Sequence, residues 1–189
     1  MVIIITGASH TGKTNLAQKM MEQYRIPYVS QDHIKMGLIR SGNTTLTPAD
    51  DGQLTEYLWP ITREMIKTAI ENHQNLIVEG CYCPFDWKND LEEVYKKEIR
   101  FLCICFSETY IANHFNEIKG YASCIEQRMD DSFCTKETLL RDNIFYAQGC
   151  RANGLPYVLI RDNYREEIDL ALKNFEFADG KEMQNKLGK

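Results

Sequence analysis

The segment that most constrains the fold is an apolar run followed at once by a glycine-rich turn. Val2-Ile3-Ile4-Ile5 is unbroken and apolar, as a strand buried on both faces of a parallel sheet should be. The next stretch reads Gly7-Ala8-Ser9-His10-Thr11-Gly12-Lys13-Thr14. Apolar residues then recur at helical spacing, at Leu16, Ala17, Met20, Met21 and Tyr24. A strand, a glycine turn and a helix in this order predict the opening unit of an α/β domain.

Residues 7–14, hereafter the glycine loop, match the pattern G-x-x-x-x-G-K-[ST] of a phosphate-binding loop. Glycines at its two ends let the backbone approach a phosphate closely, and the intervening N–H groups form an anion nest. A helix that begins near Lys13 adds the positive end of its dipole. We therefore predict nucleoside triphosphate binding, with contacts from Gly7, Ala8, Ser9, His10, Thr11, Gly12, Lys13, Thr14 and Asn15.

Two residues of the glycine loop have specific predicted roles. Lys13 should reach the β- and γ-phosphates of ATP as a point charge, and the Thr14 hydroxyl should bind Mg²⁺. The side chains of His10 and Thr11 either contact the γ-phosphate or are solvated. The alternative for the whole loop is a glycine-rich turn that connects a strand to a helix and binds no ligand.

Composition bounds the remaining possibilities. The 189 residues suit one domain, and a net charge of −5 argues against a dedicated nucleic-acid binder. No apolar stretch has the length of a membrane span and no signal peptide is evident, so we expect a cytoplasmic protein. The seven cysteines include no C-x-x-C pair and are predicted to be reduced thiols. Oligomeric state is left open between monomer and homodimer.

Strand and helix patterns alternate from end to end and predict a parallel sheet covered on both faces. Strands are predicted at about 2–6, 28–30, 76–78, 99–106 and 157–160. Helices are predicted at about 13–25, 33–40, 88–97, 108–119, 122–130 and 136–152, together with one after Thr47-Pro48 and one around 168–175. We expect Pro60 to kink or break the helix that contains it, and the polar tail, residues 179–189, to be partly disordered.

Ligands of such sheets bind where the strands end, so the residues directly after each strand are candidates for a site. Asp32 follows the second strand and could accept the proton of a substrate hydroxyl or align that hydroxyl; its alternative role is a helix N-cap. Glu79 ends the third strand and could hold Mg²⁺ through water or contact an acceptor. A cap or an ion pair is the alternative for Glu79.

Arginines commonly offset the charge of a transferred phosphoryl group. Arg40 and Arg63 flank the connection between the second and third strands, so they suit an acceptor. Arg128 and Arg141 lie between the fourth and fifth strands, so they suit a lid over ATP; Arg128 is the candidate catalytic arginine. Each is equally interpretable as a solvated surface residue. The aromatic cluster Tyr82, Phe85 and Trp87 could form a substrate wall or core, and His114 is predicted on a helix surface.

The glycine loop, Ser30-Gln31-Asp32 and Glu79-Gly80 together resemble the P-loop kinases that include adenylate kinase, shikimate kinase and gluconate kinase. The resemblance implies a three-layer α/β fold with a five-stranded parallel sheet in the order 2-3-1-4-5. It also implies one kinase domain over 1–178, with an acceptor-binding insertion at about 32–73 and a lid at about 108–135. The stretch from Asp32 to Arg40 is also similar to chains labelled 2-phosphoglycerate kinase.

These observations predict an ATP- and Mg²⁺-dependent phosphotransferase that acts on a small molecule, with a hydroxyl-bearing metabolite favoured. Lys13, Asp32 and Arg128 are the predicted catalytic residues; Asp32, Arg40, Arg63 and Glu79 contact the acceptor; Thr14 and Glu79 hold the metal. The alternatives are a nucleoside monophosphate kinase of the adenylate-kinase type and a non-catalytic, regulatory ATP-binding module. A GTPase switch is disfavoured because neither D-x-x-G nor N-K-x-D occurs in a suitable context.

Overall fold

The computed structural model describes residues 1–123 and 134–177. Arg128, most of the predicted 122–130 helix and the predicted polar tail lie outside the described residues. The described strands are β1 (Val2–Gly7), β2 (Tyr28–Ser30), β3 (Leu76–Glu79), β4 (Ile99–Phe106) and β5 (Tyr157–Ile160). The α-helices are α1 (Lys13–Tyr24), α2 (Gln31–Arg40), α3 (Asp51–Glu71), α4 (Glu93–Lys96), α5 (Glu108–Gly120), α6 (Lys136–Ala152) and α7 (Tyr164–Phe177).

The five strands form one parallel sheet in the order β2-β3-β1-β4-β5, which confirms the predicted fold class and strand order. β1 is central, and its alternate side chains face two separate cores. Ile3 and Ile5 belong to one core, and Val2 and Ile4 belong to the other. The strand therefore has no polar face, which explains its unbroken apolar sequence.

Each face of the sheet is covered by helices. Leu16, Ala17 and Met20 of α1 pack in the core that contains Ile3 and Ile5. Trp59 and Ile66 of α3 pack in the opposite core. A smaller cluster, built around Leu54, Leu58 and Tyr82, joins α2 and α3. In the part of the chain that the structure describes, no helix has the length and hydropathy to cross a membrane.

Two predicted helix starts are wrong. Helix α3 was predicted to have Thr47 as its N-cap and Pro48 in its first turn, but it begins at Asp51. The Thr47 N–H and hydroxyl both donate to the Asp50 carboxylate (2.8 and 2.7 Å) and close a turn before the helix. Helix α2 begins at Gln31, two residues earlier than predicted, so Ser30 is its N-cap residue. Asp32 therefore lies inside the first helical turn, and its alternative role as the N-cap is excluded.

Two further segments differ from expectation. Helix α3 continues unbroken through Pro60. Because both Pro60 and Glu56 are exposed, water can donate to the Glu56 carbonyl, which receives no bond from Pro60 since proline has no N–H. The predicted helix at 88–97 is instead a 3₁₀ turn, Trp87–Asp90, followed by the single turn of α4. Trp87 is 2% exposed and packs into the core, so this segment serves to cover the sheet.

Candidate functional site

The glycine loop connects the end of β1 to the start of α1. Gly7 and Gly12 have φ values of 140° and 80°, and His10 has a φ of 67°. A Cβ at Gly7 would collide with the backbone of Ile104, and one at Gly12 would collide with the Tyr164 hydroxyl. Both glycines are therefore required by the positive φ and by close neighbours, as the sequence pattern predicts.

Two side chains of the loop bond the same backbone oxygen. The Lys13 ammonium and the Thr11 hydroxyl both donate to the Ala8 carbonyl, at 2.7 and 2.8 Å. Thr11 is fully buried, so its hydroxyl stabilises the loop rather than contacting a ligand. Lys13 folds back across the loop, which places its positive charge beside the loop backbone.

The first turn of α1 faces the same hollow. Gly12 is the N-cap residue and has no side chain that could cap the backbone N–H groups of this turn. These groups and the helix dipole favour an anion at the start of α1.

A hydroxyl and a carboxylate stand together beside the loop. The Thr14 hydroxyl donates to the Glu79 carboxylate at 3.3 Å, and Glu79 is 1% exposed. Glu79 is aligned with Ile5 across the β1–β3 pair, which brings the end of β3 beside the glycine loop. Hard oxygen donors of this kind suit Mg²⁺, so the two predicted metal residues are adjacent and chemically compatible with that ion.

Tyr164, at the start of α7, holds the loop from the other side. Its hydroxyl donates to the Thr11 carbonyl at 3.1 Å and lies 3.5 Å from the Gly12 carbonyl. Burial raises the pKa of the Tyr164 phenol, so the group stays protonated and remains a donor at neutral pH. The loop and Tyr164 are separated by about 150 positions in the sequence, and no local pattern signals the contact.

The variant Tyr164→Phe should weaken nucleotide binding about tenfold, because a single buried hydrogen bond that shapes the loop is lost. The unfolding free energy should fall by no more than about 1.5 kcal/mol. Titration calorimetry with Mg·ATP measures the first effect and urea unfolding the second. The matched control is Tyr157→Phe, which loses a bond from Arg151 at the surface and should leave affinity unchanged. Equal affinities in both variants would show that Tyr164 does not shape the loop.

A cleft of about 520 Å³ opens on one side of the glycine loop; we call it the α5 cleft. Its walls come from the loop, from α1, from α5 and from the segment after β5. The Tyr110 and His114 rings are stacked in the wall, with centroids 4.5 Å apart and planes inclined by 24°. Lys13, Lys19 and Arg165 supply positive charge. Aromatic walls beside a cationic loop suit a planar base that carries phosphates.

His114 is partly exposed on the surface of α5, in line with the prediction, and it also lines the wall of this cleft. Its Nδ1 lies 3.0 Å from the Glu117 carboxylate. The backbone at His114 has a φ of −117° and a ψ of 15°, which departs from helical geometry and kinks α5 at this position. The stack with Tyr110 follows i, i+4 spacing, which is the one signal in the sequence that could have indicated it.

On the other side of the loop, four side chains from α2, α3 and the segment after β3 form the α2–α3 network: Asp32, Lys35, Asp51 and Tyr82. Lys35 forms an ion pair with Asp32 and donates to the Tyr82 hydroxyl at 2.9 Å. The Tyr82 hydroxyl donates in turn to Asp51 at 3.0 Å. The sequence pointed to Asp32. Asp51 was missed because its partner Tyr82 is 31 positions away, whereas Lys35 is three residues from Asp32, a helical spacing that could have indicated the ion pair.

Cys81 links the two sides of the site. Its thiol lies within electrostatic range of Lys13 and of three members of the α2–α3 network, Asp32, Lys35 and Asp51. Burial raises the pKa of the Cys81 thiol to about 11, and the thiol is therefore neutral at physiological pH. Lys13 and Asp32 thus both lie near Cys81, in the part of the molecule where β1, β2 and β3 end.

Gln31 fixes the start of α2 to the segment after β3. Its side-chain oxygen accepts the Tyr82 N–H at 2.9 Å, and its amide nitrogen donates to the Tyr82 carbonyl at 3.2 Å and to Thr62 at 3.3 Å. Gln31 is 1% exposed, so it lies beneath the site rather than in it. These bonds hold the α2–α3 network in register with the sheet.

The variant Gln31→Leu should lower the free energy of unfolding by about 3 kcal/mol, because it leaves the buried Tyr82 N–H and carbonyl unpaired. The matched control is Gln18→Leu, since Gln18 bonds only Glu22 at the surface of α1 and should change stability by less than about 0.5 kcal/mol. Urea unfolding of both variants measures the difference. Similar losses in the two variants would contradict the role of the buried amide.

The two arginines predicted for acceptor contacts do not join the α2–α3 network. Arg40 is exposed at the end of α2, about 12 Å along the helix from Asp32 at 1.5 Å per residue. Arg63 forms an ion pair with Glu64 at 2.9 Å and lies about 18 Å along α3 from Asp51. Arg141 is 71% exposed and pairs with Asp142.

The aromatic cluster after β3 divides between core and site. Trp87 belongs to the core. Phe85 contacts the Phe145 ring edge-on, with centroids 5.3 Å apart. Tyr82 belongs to both the core and the site: the residue is 2% exposed, and its hydroxyl joins the α2–α3 network.

The sequence matches no protein-family model and no curated protein. Solved structures are similar in fold. A deoxyadenosine kinase from M. mycoides is 15% identical over 93% of this chain and 99% of its own, with a TM-score of 0.58. A shikimate kinase from Aquifex aeolicus is 14% identical over 100% of both chains, with a TM-score of 0.52. A gluconokinase from Sinorhizobium meliloti is 14% identical over 94% and 97%, with a TM-score of 0.50.

All three similar structures are named as kinases, and each matches this chain over nearly its whole length. The sheet order and the strand–loop–helix unit at the N-terminus agree with the resemblance expected from the sequence. The chain therefore has the three-layer α/β fold of the P-loop kinases.

Proposed function

We propose that the chain is an ATP-dependent phosphotransferase that transfers the γ-phosphoryl group to a hydroxyl of a small molecule. The observation that carries this proposal is that Lys13 and Asp32 both lie within electrostatic range of the Cys81 thiol, where β1, β2 and β3 end. A loop suited to polyphosphate thus lies near a carboxylate suited to a hydroxyl group. The similarity to sugar, shikimate and nucleoside kinases supports the same reaction class.

Each residue has a defined role in this reaction. The α5 cleft takes the base of ATP, and the glycine loop takes its phosphates. Thr14 and Glu79 would hold Mg²⁺, which supplies charge neutralisation between the β- and γ-phosphates. A bond forms between the acceptor oxygen and the γ-phosphorus while the bond to the β,γ-bridging oxygen breaks. The proton of the hydroxyl passes to Asp32, and the Lys13 ammonium stabilises the charge that develops on the phosphates.

The test is a binding and turnover experiment on the full chain. Calorimetry with Mg·ATP should give micromolar to millimolar affinity, and ADP release should depend on an added hydroxyl compound. Absence of ATP binding would overturn the proposal. ATP binding without any acceptor-dependent ADP release would favour the alternative of a regulatory ATP-binding module.

A further inference from the structure

The α2–α3 network has an unbalanced charge. It contains two carboxylates, Asp32 and Asp51, and one ammonium, Lys35. The Lys35 side chain is only 12% exposed, whereas that of Asp32 is 37% exposed. Lys35 already donates to Asp32 and to the Tyr82 hydroxyl, and its ammonium lies 5.1 Å from the centroid of the Tyr82 ring. The surface presented to a ligand is therefore dominated by carboxylate oxygens.

The other cationic side chains either interact with groups outside the network or lie far from it. Lys13 bonds the Ala8 carbonyl and serves the phosphates of the nucleotide. Arg63 is paired with Glu64, and Arg40 is at the far end of α2. In residues 1–123 and 134–177, no arginine joins the bonds that tie Asp32, Lys35, Tyr82 and Asp51 together. Recognition of a phosphate or carboxylate commonly depends on the bidentate fork of arginine.

The carboxylates can accept more hydrogen bonds than they receive within the network. Tyr82 donates to one oxygen of Asp51, and a carboxylate has about four lone-pair positions in total. Asp51 is exposed in the first turn of α3. A hydroxyl or ammonium group of a ligand would find an acceptor here, whereas an anionic group would meet like charge.

From this geometry we infer the charge class of the acceptor, an inference that rests on the proposed function. The hydroxyl compound that binds between Asp32 and Asp51 carries no anionic group and is either uncharged or cationic. Sugars, nucleosides and amino alcohols have this chemistry. Nucleoside monophosphates, sugar acids and hydroxy acids are excluded as preferred acceptors, which separates this site from one that binds a phosphorylated or carboxylated substrate.

The experiment compares acceptors in related pairs of which one member carries an anionic group. Glucose is paired with gluconate, adenosine with AMP, cytidine with CMP, and glycerol with glycerate; ethanolamine and 2-deoxystreptamine represent cationic members. ADP release with Mg·ATP is measured for each. At least one uncharged or cationic member should exceed its anionic counterpart, or the best anionic compound, at least tenfold in kcat/KM.

The outcomes distinguish this inference from the proposed function. ADP release with anionic acceptors alone, or equal ADP release within the pairs, overturns the inferred charge class of the acceptor and leaves the kinase assignment intact. No release with any member, together with no binding of Mg·ATP, overturns the proposed function and the charge class with it. If Mg·ATP binds but no member is used, the charge class is also rejected, because it requires an uncharged or cationic acceptor.

A substitution links the preference to the network. Asp51→Asn keeps an oxygen that can accept from Tyr82 but removes the negative charge. We expect the ratio of kcat/KM for the preferred member to that for its anionic counterpart to fall about tenfold. The matched control is Glu56→Gln, an exposed carboxylate on the same helix that should leave this ratio unchanged. An unchanged ratio in Asp51→Asn, or an equal fall in the control, contradicts the inference.

Discussion

Replacing Lys13 by methionine should lower turnover by about 10²–10³-fold while the fold persists. The ammonium lies over the glycine loop, 2.7 Å from the Ala8 carbonyl, where we propose that the β- and γ-phosphates of the nucleotide bind. A preorganised donor aimed at charge that develops in the transition state commonly contributes about 3–4 kcal/mol to catalysis, which corresponds to this loss. Single-turnover phosphoryl transfer with saturating Mg·ATP measures the effect.

The matched control for Lys13→Met is Lys19→Met. Lys19 is on the same helix and lines the same cleft but is exposed, so its removal should change turnover by less than about threefold. Circular dichroism and urea unfolding should show both variants folded. Comparable losses of turnover in the two variants would mean that general positive charge, rather than the position of Lys13, accelerates the reaction.

Asp32→Asn should bind Mg·ATP with unchanged affinity and lose about 10²–10⁴-fold in turnover. The amide has nearly the same size as the carboxylate but cannot take the proton of the acceptor hydroxyl. Asp32 is in the first turn of α2 and is not among the residues that line the α5 cleft, so nucleotide contacts should be preserved. Calorimetry and acceptor-dependent ADP release, measured on the same preparation, separate the two effects.

The control for Asp32→Asn is Asp169→Asn, an exposed carboxylate on α7 that should leave both quantities unchanged. Normal turnover in Asp32→Asn would exclude Asp32 as the base. Loss of ATP affinity together with turnover would instead assign Asp32 to the nucleotide side of the site.

Local patterns were sufficient to predict most of the fold. The apolar run of β1 and the helical spacing in α1 depend on residues close in sequence, and both elements are confirmed. Helix boundaries were harder because capping is a competition between nearby side chains. Thr47-Pro48 has the composition of a helix start, yet Asp50 bonds Thr47 and delays the helix to Asp51.

The candidate site likewise has a part that local sequence could predict and a part that it could not. The glycine loop could be identified by its sequence because all of its special residues fall within eight consecutive positions. The contacts of Tyr164 with the glycine loop and of Tyr82 with Asp51 could not be identified, since they join residues that are distant along the chain. Tyr82 and Asp51 are 31 positions apart, and Tyr164 and Thr11 are 153 apart.

The sequence by itself determined a strand–loop–helix unit with the donors, charge and glycines that a polyphosphate requires. Spacing alone is enough there because backbone geometry places consecutive residues relative to one another. Only the tertiary structure decided which side chains lie near that loop. It also decided that Lys35 pairs with Asp32 and donates to Tyr82, which leaves the α2–α3 network with two carboxylates and one ammonium. The parallel sheet brings separate strand ends to one edge, so the charge of the acceptor side is a property of packing rather than of any local pattern.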